Sequence, residues 1–407
     1  MSSIAISFLA FLVTPAIIVV LRPLALRVGL VDVPNPRKSH TGQVPLIGGV
    51  AIFMSVILLL SGHLILSDAL VTIANSPVSF LLATLILIII GVWDDLKDLS
   101  AYARFGAQTL AALIMVYGAG IVLTDLGELN LLGGTLYLSY MSIPFTIFAT
   151  LGIINAVNMC DGLDGLSGSL SLMSLLGLGA ANLLWGSYDP IIGLMAASIA
   201  GFLIFNMRTF WRDKAWVFLG DAGSMMIGMT LSWLAISMSQ GEARVISPAA
   251  ALWFLMVPVF DAVCMMIRRI VHKRSPFKAD KEHLHHIFLL AGFTVSETVA
   301  IMTGFALSVV LVGLGGMYLG ISDAVMAAAF VAAGMLYFWV IMRAWRVMTF
   351  LRRSICRRKK SAHTEHIYNE RRKNSNSYYE GPERRRGPDR RKARTASYAS
   401  SKKSGIT

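Results

Sequence analysis

The sequence predicts an all-α, polytopic integral membrane protein with about eleven transmembrane helices. The 407 residues are 56% hydrophobic, and their mean hydropathy of +0.66 is well above that of soluble domains. Apolar runs of about 16–24 residues recur along the chain, which is the length that a helix needs to cross ~30 Å of hydrocarbon. Basic residues are concentrated in alternate connections between these runs.

The eleven apolar runs set the order and the orientation of the predicted helices. They lie at roughly 4–21, 46–66, 78–92, 104–123, 141–157, 166–185, 190–206, 216–238, 248–267, 296–318 and 324–342. No Lys or Arg precedes the first run, and Arg22 and Arg27 follow it, which places the N-terminus outside. With alternating loops, fifteen Lys and Arg residues up to residue 342 fall on the inner side, and only Arg244 falls outside. This positive-inside bias places the C-terminus inside as well.

Charge divides the chain into a membrane domain, residues 1–342, and a basic C-terminal part. The membrane domain contains 16 Lys and Arg against 18 Asp and Glu, whereas the chain from Arg343 onward contains 20 against 5. We expect residues 343–360 to form a basic amphipathic segment on anionic headgroups. Residues 361–407 are polar and rich in Arg, which predicts a disordered cytoplasmic tail. This composition favours contact with solvent or lipid over nucleic acid.

Three carboxylates follow the third apolar run directly. They belong to Asp94, Asp95 and Asp98. On a helix, Asp94 and Asp98 would share a face, with Asp95 beside them. Carboxylates held so close repel one another unless a cation or a proton lies between them. The alternative interpretation is a set of solvated acids at a membrane boundary.

Two amides and two carboxylates follow the fifth run, in the sequence NAVNMCDGLDG. They belong to Asn155, Asn158, Asp161 and Asp164. Oxygen ligands of this kind suit Mg²⁺, which proteins usually hold with one or two carboxylates together with phosphate oxygens of a substrate. The alternative, polar contacts between membrane helices, needs fewer ionised groups.

A further acid, Asp221, lies in the sequence FLGDAGS near the inner end of the eighth run. Taken alone, it could cap the first turn of a helix. Its small neighbours leave room for a ligand, however. Phe218 offers a face on which a base could stack, although aromatic residues are also common at membrane edges.

Histidines and cations cluster on two predicted inner loops, 22–45 and 268–295. No Cys accompanies the histidines of the sequence DKEHLHH, and their spacing differs from the zinc-protease pattern. Imidazole and basic groups suit a phosphate or sugar hydroxyls instead. The candidates for this role are Lys38, His40, Arg269, His283, His285 and His286.

Together these motifs resemble the polyprenyl-phosphate N-acetylhexosamine-1-phosphate transferases. The resemblance covers roughly residues 30–340, where five motifs occur in the family order: DVPNPRKSH with VPLIGG, DDLKD, NAVNMCDGLDGLSG, FLGDAGS and DKEHLHH. The His-x-His-His pattern is similar to the GlcNAc-1-phosphate branch, whereas the peptidoglycan branch typically shows three consecutive histidines. The basic tail has no family counterpart.

The resemblance implies a reaction at the cytoplasmic face of the bacterial inner membrane. GlcNAc-1-phosphate would pass from UDP-GlcNAc to undecaprenyl phosphate, with release of UMP and with Mg²⁺, or Mn²⁺ in its place, as cofactor. The product would initiate a lipid-linked surface polysaccharide such as O antigen. Asp221 and Asp164 would contact the metal, and the acids of the DDLKD motif would position or deprotonate the lipid phosphate.

The same resemblance assigns the other candidates to the two substrates. Asp161 and Asn158, with Asn155 one turn before, would lie at the nucleotide, and Phe218 would be a platform for uracil. Arg269 and the three histidines would hold the sugar or the diphosphate. Lys38 and His40 would meet the lipid phosphate.

Three alternatives stay open at this stage. The donor could be another UDP-N-acetylhexosamine or UDP-MurNAc-pentapeptide. The chain could be an ion-coupled transporter, which predicts charges near the middle of the spans; only Asp261 lies deep, and a lone buried acid there could simply be paired. It could also be a membrane anchor that displays an RNA- or lipid-binding tail. The sequence leaves the oligomeric state open, including a homo-oligomer.

Overall fold

The computed structural model of the chain describes residues 3–33, 42–66, 76–129, 134–185, 189–209, 211–242, 244–273 and 283–343. Helices dominate these residues. They are α1 (Ser3–Val28), α2 (Gly48–Leu66), α3 (Ser76–Lys97), α4 (Ala101–Leu113), α5 (Ser142–Met159), α6 (Leu166–Leu184), α7 (Pro190–Asn206), α8 (Gly220–Ser239), α9 (Pro248–Phe254), α10 (Met256–Val271), α11 (Leu284–Ala291), α12 (Val295–Tyr318) and α13 (Asp323–Arg343). A π-helix, Ile114–Gly118, continues α4. The predicted basic segment and tail lie outside the described residues.

The described helices confirm a polytopic membrane protein. Seven of them are long and apolar enough to cross a membrane, namely α1, α3, α5, α6, α8, α12 and α13. The pair α9 and α10 is bent by 83° and makes an eighth if it counts as one broken span. The apolar part of α2, Gly48–His63, and the whole of α7 are shorter. The predicted number of eleven spans and their orientation stay predictions.

Helix α8 is the centre of the bundle. Of its apolar span 94% is buried, compared with 11% of the span of α13. It packs against α2, α3, α5, α6 and α9, and small residues let these helices approach closely. A Cβ built on Gly49 would lie 2.2 Å from the Cα of Gly223, and one built on Gly91 would lie 2.2 Å from the Cα of Ala222. The first turns of α8 therefore depend on backbone contact with α2 and α3.

Gly91→Ala is expected to destabilise the protein because the new methyl group meets the backbone of α8. Overpacking of this kind costs roughly 1–3 kcal/mol. The matched control is Gly106→Ala in α4, where a Cβ has no atom of the described chain within 4 Å; that change should stabilise by about 0.5–1 kcal/mol. Thermal unfolding in detergent checks both variants. Equal unfolding midpoints for the two variants would show that α3 and α8 pack less closely at Gly91 than the structure indicates.

Short extended segments fix the start of α8 at the predicted inner side. Strand β1 (Val31–Asp32) pairs antiparallel with β2 (Val44–Pro45). The backbone N–H of Phe218 donates to the carbonyl of Pro45 at 2.9 Å, and the N–H of Gly48 donates back to the carbonyl of Phe218 at 2.9 Å. The loop before α2 thus holds the segment that leads into Asp221.

The described parts of residues 124–140 form a small hairpin between the π-helix and α5. Asp125 and Tyr137 form an antiparallel bridge, and the N–H of Leu126 donates to the carbonyl of Leu136 at 2.9 Å. Gln240 at the end of α8 accepts from the N–H of Asp125 at 3.1 Å and donates to its carbonyl at 3.1 Å. These contacts attach the hairpin to the C-terminal end of the central helix.

Candidate active site

Three of the acidic motifs meet at the N-terminus of α8. The backbone N–H of Asp221 donates to Oδ1 of Asp95 at 3.0 Å, which joins α8 to the end of α3. Nδ2 of Asn158, at the end of α5, donates to Oδ1 of Asp221 at 2.7 Å and to Oγ of Ser224 at 2.8 Å. Asp95, Asp161 and Asp221 are called the acidic cluster below. They are 126 residues apart at most in sequence, so only the fold brings them together.

One oxygen of the acidic cluster lacks a partner. Oδ2 of Asp95 is buried and has no hydrogen bond to any residue that the structure describes. A Cβ on Gly220 would lie 2.6 Å from it, and the φ of +75° at Gly220 also favours glycine. Buried carboxylate oxygens without a donor are rare because the desolvation cost is not offset. The oxygen therefore suits a cation or a proton that comes from outside the protein.

Asp161 shows how strongly negative this region is. Burial, together with the nearby carboxylates of Asp221, Asp95 and Asp164, raises its pKa from 3.8 to about 8. Asp161 lies in the connection between α5 and α6, where its N–H donates to the carbonyl of Asn158 at 3.1 Å. Such a group ionises readily only when a cation enters the site. The raised pKa therefore shows that this region lacks compensating positive charge from the described residues.

The histidines lie at the start of α11, beside the connection that contains Asp161. The rings of His283 and His285 are parallel, with 5.5 Å between their centroids, and those of His285 and His286 are 4.3 Å apart. A Cβ on Gly162 would lie 2.6 Å from Nε2 of His285. Burial lowers the pKa of His285 to about 3, with a smaller contribution from His286, so its ring is neutral at physiological pH.

Comparison with known proteins fits this arrangement. A family model described as glycosyl transferase family 4 matches residues 77–239, which include the acidic cluster. Curated proteins named undecaprenyl-phosphate alpha-N-acetylglucosaminyl 1-phosphate transferase are similar to most of the chain. That of Haemophilus influenzae is 35% identical over 88% of this chain and 99% of its own length. That of Yersinia pestis is 35% identical over 88% and 96%, and that of Escherichia coli (strain K12) is 33% identical over 84% and 92%.

The chain belongs to the polyprenyl-phosphate N-acetylhexosamine-1-phosphate transferase family. It is therefore an enzyme, a phosphotransferase with a membrane domain. The predicted family membership is confirmed. The roles of individual residues in this transferase remain predictions, and the structure shows where each of them lies.

The DDLKD motif divides into two parts. Asp94 of the transferase is buried; its Oδ2 accepts from Nη1 of Arg104 at 3.1 Å and its Oδ1 from the N–H of Leu99 at 2.7 Å. The expected shared face of Asp94 and Asp98 is wrong. Helix α3 ends at Lys97, and Asp98 has a φ of +52° and an exposed side chain. The helix ends before Asp98, whose side chain faces solvent while that of Asp94 is buried.

Asp164 has a cationic partner that the sequence did not indicate. Its Oδ2 accepts from Nε of Arg208 at 2.8 Å and from the N–H of Ala215 at 3.1 Å. Among the described residues, no group of three or more His, Cys, Asp or Glu side chains could hold a metal ion. Magnesium often needs only one or two carboxylates besides its substrate. Metal contact by Asp164 together with Asp221 therefore stays a prediction.

The two asparagines of the NAVNMCDGLDG motif differ in environment. Nδ2 of Asn155 donates to Oε1 of Gln108 at 2.8 Å and to the carbonyl of Leu151 at 2.7 Å. Gln108 is buried in α4. The structure thus favours the alternative reading for Asn155, a polar contact between helices, and places only Asn158 in contact with the acidic cluster.

The remaining candidates are located as follows. Phe218 is half-buried and its backbone joins the loop before α2, while stacking on uracil stays a prediction. Arg269 is buried at the end of α10. Lys38 and His40 lie outside the described residues, as does much of the loop between α10 and α11.

Proposed function

We propose that the enzyme transfers GlcNAc-1-phosphate from UDP-GlcNAc to undecaprenyl phosphate and forms undecaprenyl-diphospho-GlcNAc and UMP. The observation that carries this proposal is the acidic cluster with its unpartnered oxygen on Asp95. The names of the relatives describe this acceptor and this sugar for those proteins. The site would face the cytoplasm of a bacterial inner membrane, and the product would initiate a lipid-linked surface polysaccharide.

The chemistry needs charge neutralisation more than it needs a strong base. An oxygen of the lipid phosphate attacks the β-phosphorus of the UDP-sugar, and UMP leaves. A phosphate monoester is mostly dianionic at pH 7, because its second pKa is near 6, so the nucleophile is already ionised. We therefore favour direct attack over a covalent Asp-phosphate intermediate. Positioning and electrostatic stabilisation then supply most of the catalysis.

The residues of the acidic cluster fit a divalent cation. Asp221 and Asp95 would hold Mg²⁺, or Mn²⁺ in its place, since both side chains belong to one hydrogen-bonded unit and Asp95 keeps an oxygen free of protein donors. When bound, the ion supplies Lewis-acid polarisation of the diphosphate and neutralises its charge. Asp164 remains a further candidate ligand beside Arg208.

The protein's own groups hold the reactants in this proposal. Asn158 keeps Asp221 in place through a 2.7 Å hydrogen bond, and Asp161 lies at the nucleotide. Arg104 neutralises the charge of Asp94. The negative charge of the neighbouring Asp95 is therefore less neutralised than that of Asp94. The histidines and Arg269 would bind the sugar or the diphosphate through hydrogen bonds to charged oxygens, which are stronger than neutral ones.

The identity of the donor is tested by UMP release in separate reactions. The purified protein is supplied with Mg²⁺, undecaprenyl phosphate and UDP-GlcNAc, UDP-GalNAc or UDP-MurNAc-pentapeptide. Lipid-dependent release with UDP-GlcNAc alone is the expected result. Release only with another donor would contradict the sugar assignment while keeping the reaction class. No release with any donor, from folded protein, would contradict the proposal as a whole.

Deleting residues 361–407 is expected to leave the turnover number within about twofold of the full chain, because every residue assigned to the site lies before residue 290. The deleted residues are rich in Arg and Lys, and the net charge that they add affects solubility and nonspecific binding but not the fold. The measurement is UMP release by the truncated protein and by the full chain, both in lipid vesicles. Complete loss of turnover in correctly inserted protein would show that the tail takes part in the reaction.

A further inference from the structure

Asp261 is a deeply buried acid that the proposed reaction does not use. It lies in α10 and its side chain is fully buried. Its two oxygens have different partners in the first turn of α11. Oδ2 is 2.9 Å from Nδ1 of His283, and Oδ1 accepts from the backbone N–H of Leu284 at 3.0 Å. One carboxylate thus contacts both the first histidine of the motif and the start of its helix.

This pairing determines which ring nitrogen of His283 carries a proton. An ionised carboxylate can only accept hydrogen bonds, so Nδ1 of His283 must be the donor. Nε2 is then the atom that His283 can offer to a ligand. The arrangement is of the kind in which a buried carboxylate holds an imidazole in one tautomer and one orientation.

The contact with Asp261 is transmitted to the rest of the histidine motif. The ring of His283 is parallel to that of His285 at a 5° interplanar angle, and His285 lies against Gly162, next to Asp161. The N–H of His286 donates to the carbonyl of His283 at 2.9 Å. Moving His283 would therefore move the ring that contacts the acidic connection between α5 and α6.

We propose that Asp261 is a positioning residue, which holds His283 in the Nδ1–H tautomer and thereby presents Nε2 of His283 to the UDP-sugar. This inference rests on the proposed function for the identity of the ligand, but not for the tautomer. Asp261 touches no reacting atom and acts only through the histidine motif. Asp261, the acid deep in an apolar run, thus acts in binding of the UDP-sugar. It does not mark an ion path.

Asp261→Asn separates the two contacts of this side chain. The N–H of Leu284 needs an acceptor, so the amide oxygen of the new residue stays there. Its NH₂ group then faces Nδ1 of His283 and donates to it, because an amide nitrogen cannot accept. The variant keeps the anchor of α11 but forces the proton of a neutral His283 to Nε2. Asp261→Ala removes both contacts and serves as the comparison for a purely structural role.

The tautomer is measured by solid-state NMR of ¹⁵N,¹³C-histidine-labelled full-length protein in lipid vesicles, without substrate. The His283 signals are identified by their absence in His283→Gln. We expect Nδ1–H in the wild type and Nε2–H in Asp261→Asn. The same tautomer in both proteins, or Nε2–H in the wild type, would overturn the proposal. If Asp261→Asn fails to fold, the wild-type tautomer alone decides.

Kinetics provide the second readout. We expect Asp261→Asn to raise the KM for UDP-GlcNAc by about 10- to 100-fold, by analogy with the loss caused by removing the orienting partner of a metal-bound histidine, while the KM for undecaprenyl phosphate is unchanged. In a His283→Gln background the same change should add less than about twofold, because both substitutions remove one interaction. Equal increases in both KM values, or an undiminished effect in that background, would overturn the proposal.

The control and the assay keep this proposal separate from the proposed function. Asp125→Asn, in the hairpin of residues 124–140, alters another acid that accepts a hydrogen bond from the backbone and should leave both KM values unchanged. If the wild type shows no turnover with UDP-GlcNAc, the proposed function fails, while the NMR result still decides whether Asp261 sets the tautomer of His283.

Discussion

Replacing Asp221 with Asn is expected to lower the rate of UMP release by about 10³-fold, which corresponds to ~4 kcal/mol of transition-state stabilisation. Asp221 is the carboxylate that α8 contributes to the acidic cluster. A neutral amide at this position would bind a divalent cation far less tightly. The effect should appear in the turnover number measured at the substrate and Mg²⁺ concentrations that saturate the wild type. Steady-state assays of the purified variant in detergent or vesicles measure it.

The same variant should stay inserted and folded. The amide oxygen of Asn can still accept the hydrogen bond from Nδ2 of Asn158, and the backbone N–H at position 221 still donates to Asp95. Asp213→Asn, at an exposed acid in the connection before α8, is the matched control and should retain wild-type turnover. Near wild-type turnover of Asp221→Asn would remove Asp221 from the metal site.

Replacing Asp161 with Asn should reduce turnover and raise stability at the same time. Burial raises the pKa of Asp161 to about 8 in the folded protein, whereas its ordinary value is 3.8. The folded state therefore binds this proton more tightly than the unfolded chain does. Its contribution to stability is complete below about pH 4 and is lost as the pH rises through about 8. The Asn side chain is neutral throughout and avoids that loss.

The thermal midpoint of Asp161→Asn minus that of the wild type should thus increase between pH 5 and pH 8.5, in buffer with EDTA. Added Mg²⁺ should raise the midpoint of the wild type more than that of the variant, since a bound cation stabilises the ionised acid. A difference that is independent of pH, or that shrinks as the pH rises, would show that Asp161 is not held in a protonated state by its surroundings.

The sequence predicted the membrane fold and the proximity of three acids because both depend on local patterns. Apolar runs and their flanking cations identify helices one at a time. Acids at the inner ends of several spans must lie on one side of the membrane, so the meeting of Asp95, Asp161 and Asp221 followed from topology. The family resemblance, carried by five short motifs, was confirmed by the comparisons.

The partners of these acids were beyond the sequence because tertiary packing decides them. Arg208 was counted only as an inner-loop cation, yet it pairs with Asp164 across 44 positions. Asn155 belongs to the same motif as Asn158, although its amide donates to Gln108 of α4 instead. Asp98 was assigned to the face of Asp94 by assuming that α3 continues, while a residue with φ of +52° follows the helix end. For Asp261, the sequence showed only an acid inside an apolar run and did not indicate its partner, His283.

The measurement that tests the central claim most directly follows the β-phosphorus of UDP-GlcNAc. The purified protein in vesicles with undecaprenyl phosphate is given UDP-GlcNAc labelled with ³²P at the β-position. The account predicts that the label enters the lipid, that one UMP is released for each labelled lipid, and that EDTA stops both and Mg²⁺ restores both. Label that stays water-soluble while UMP is formed, or transfer that continues without any divalent cation, would contradict metal-assisted phosphotransfer at the acidic cluster.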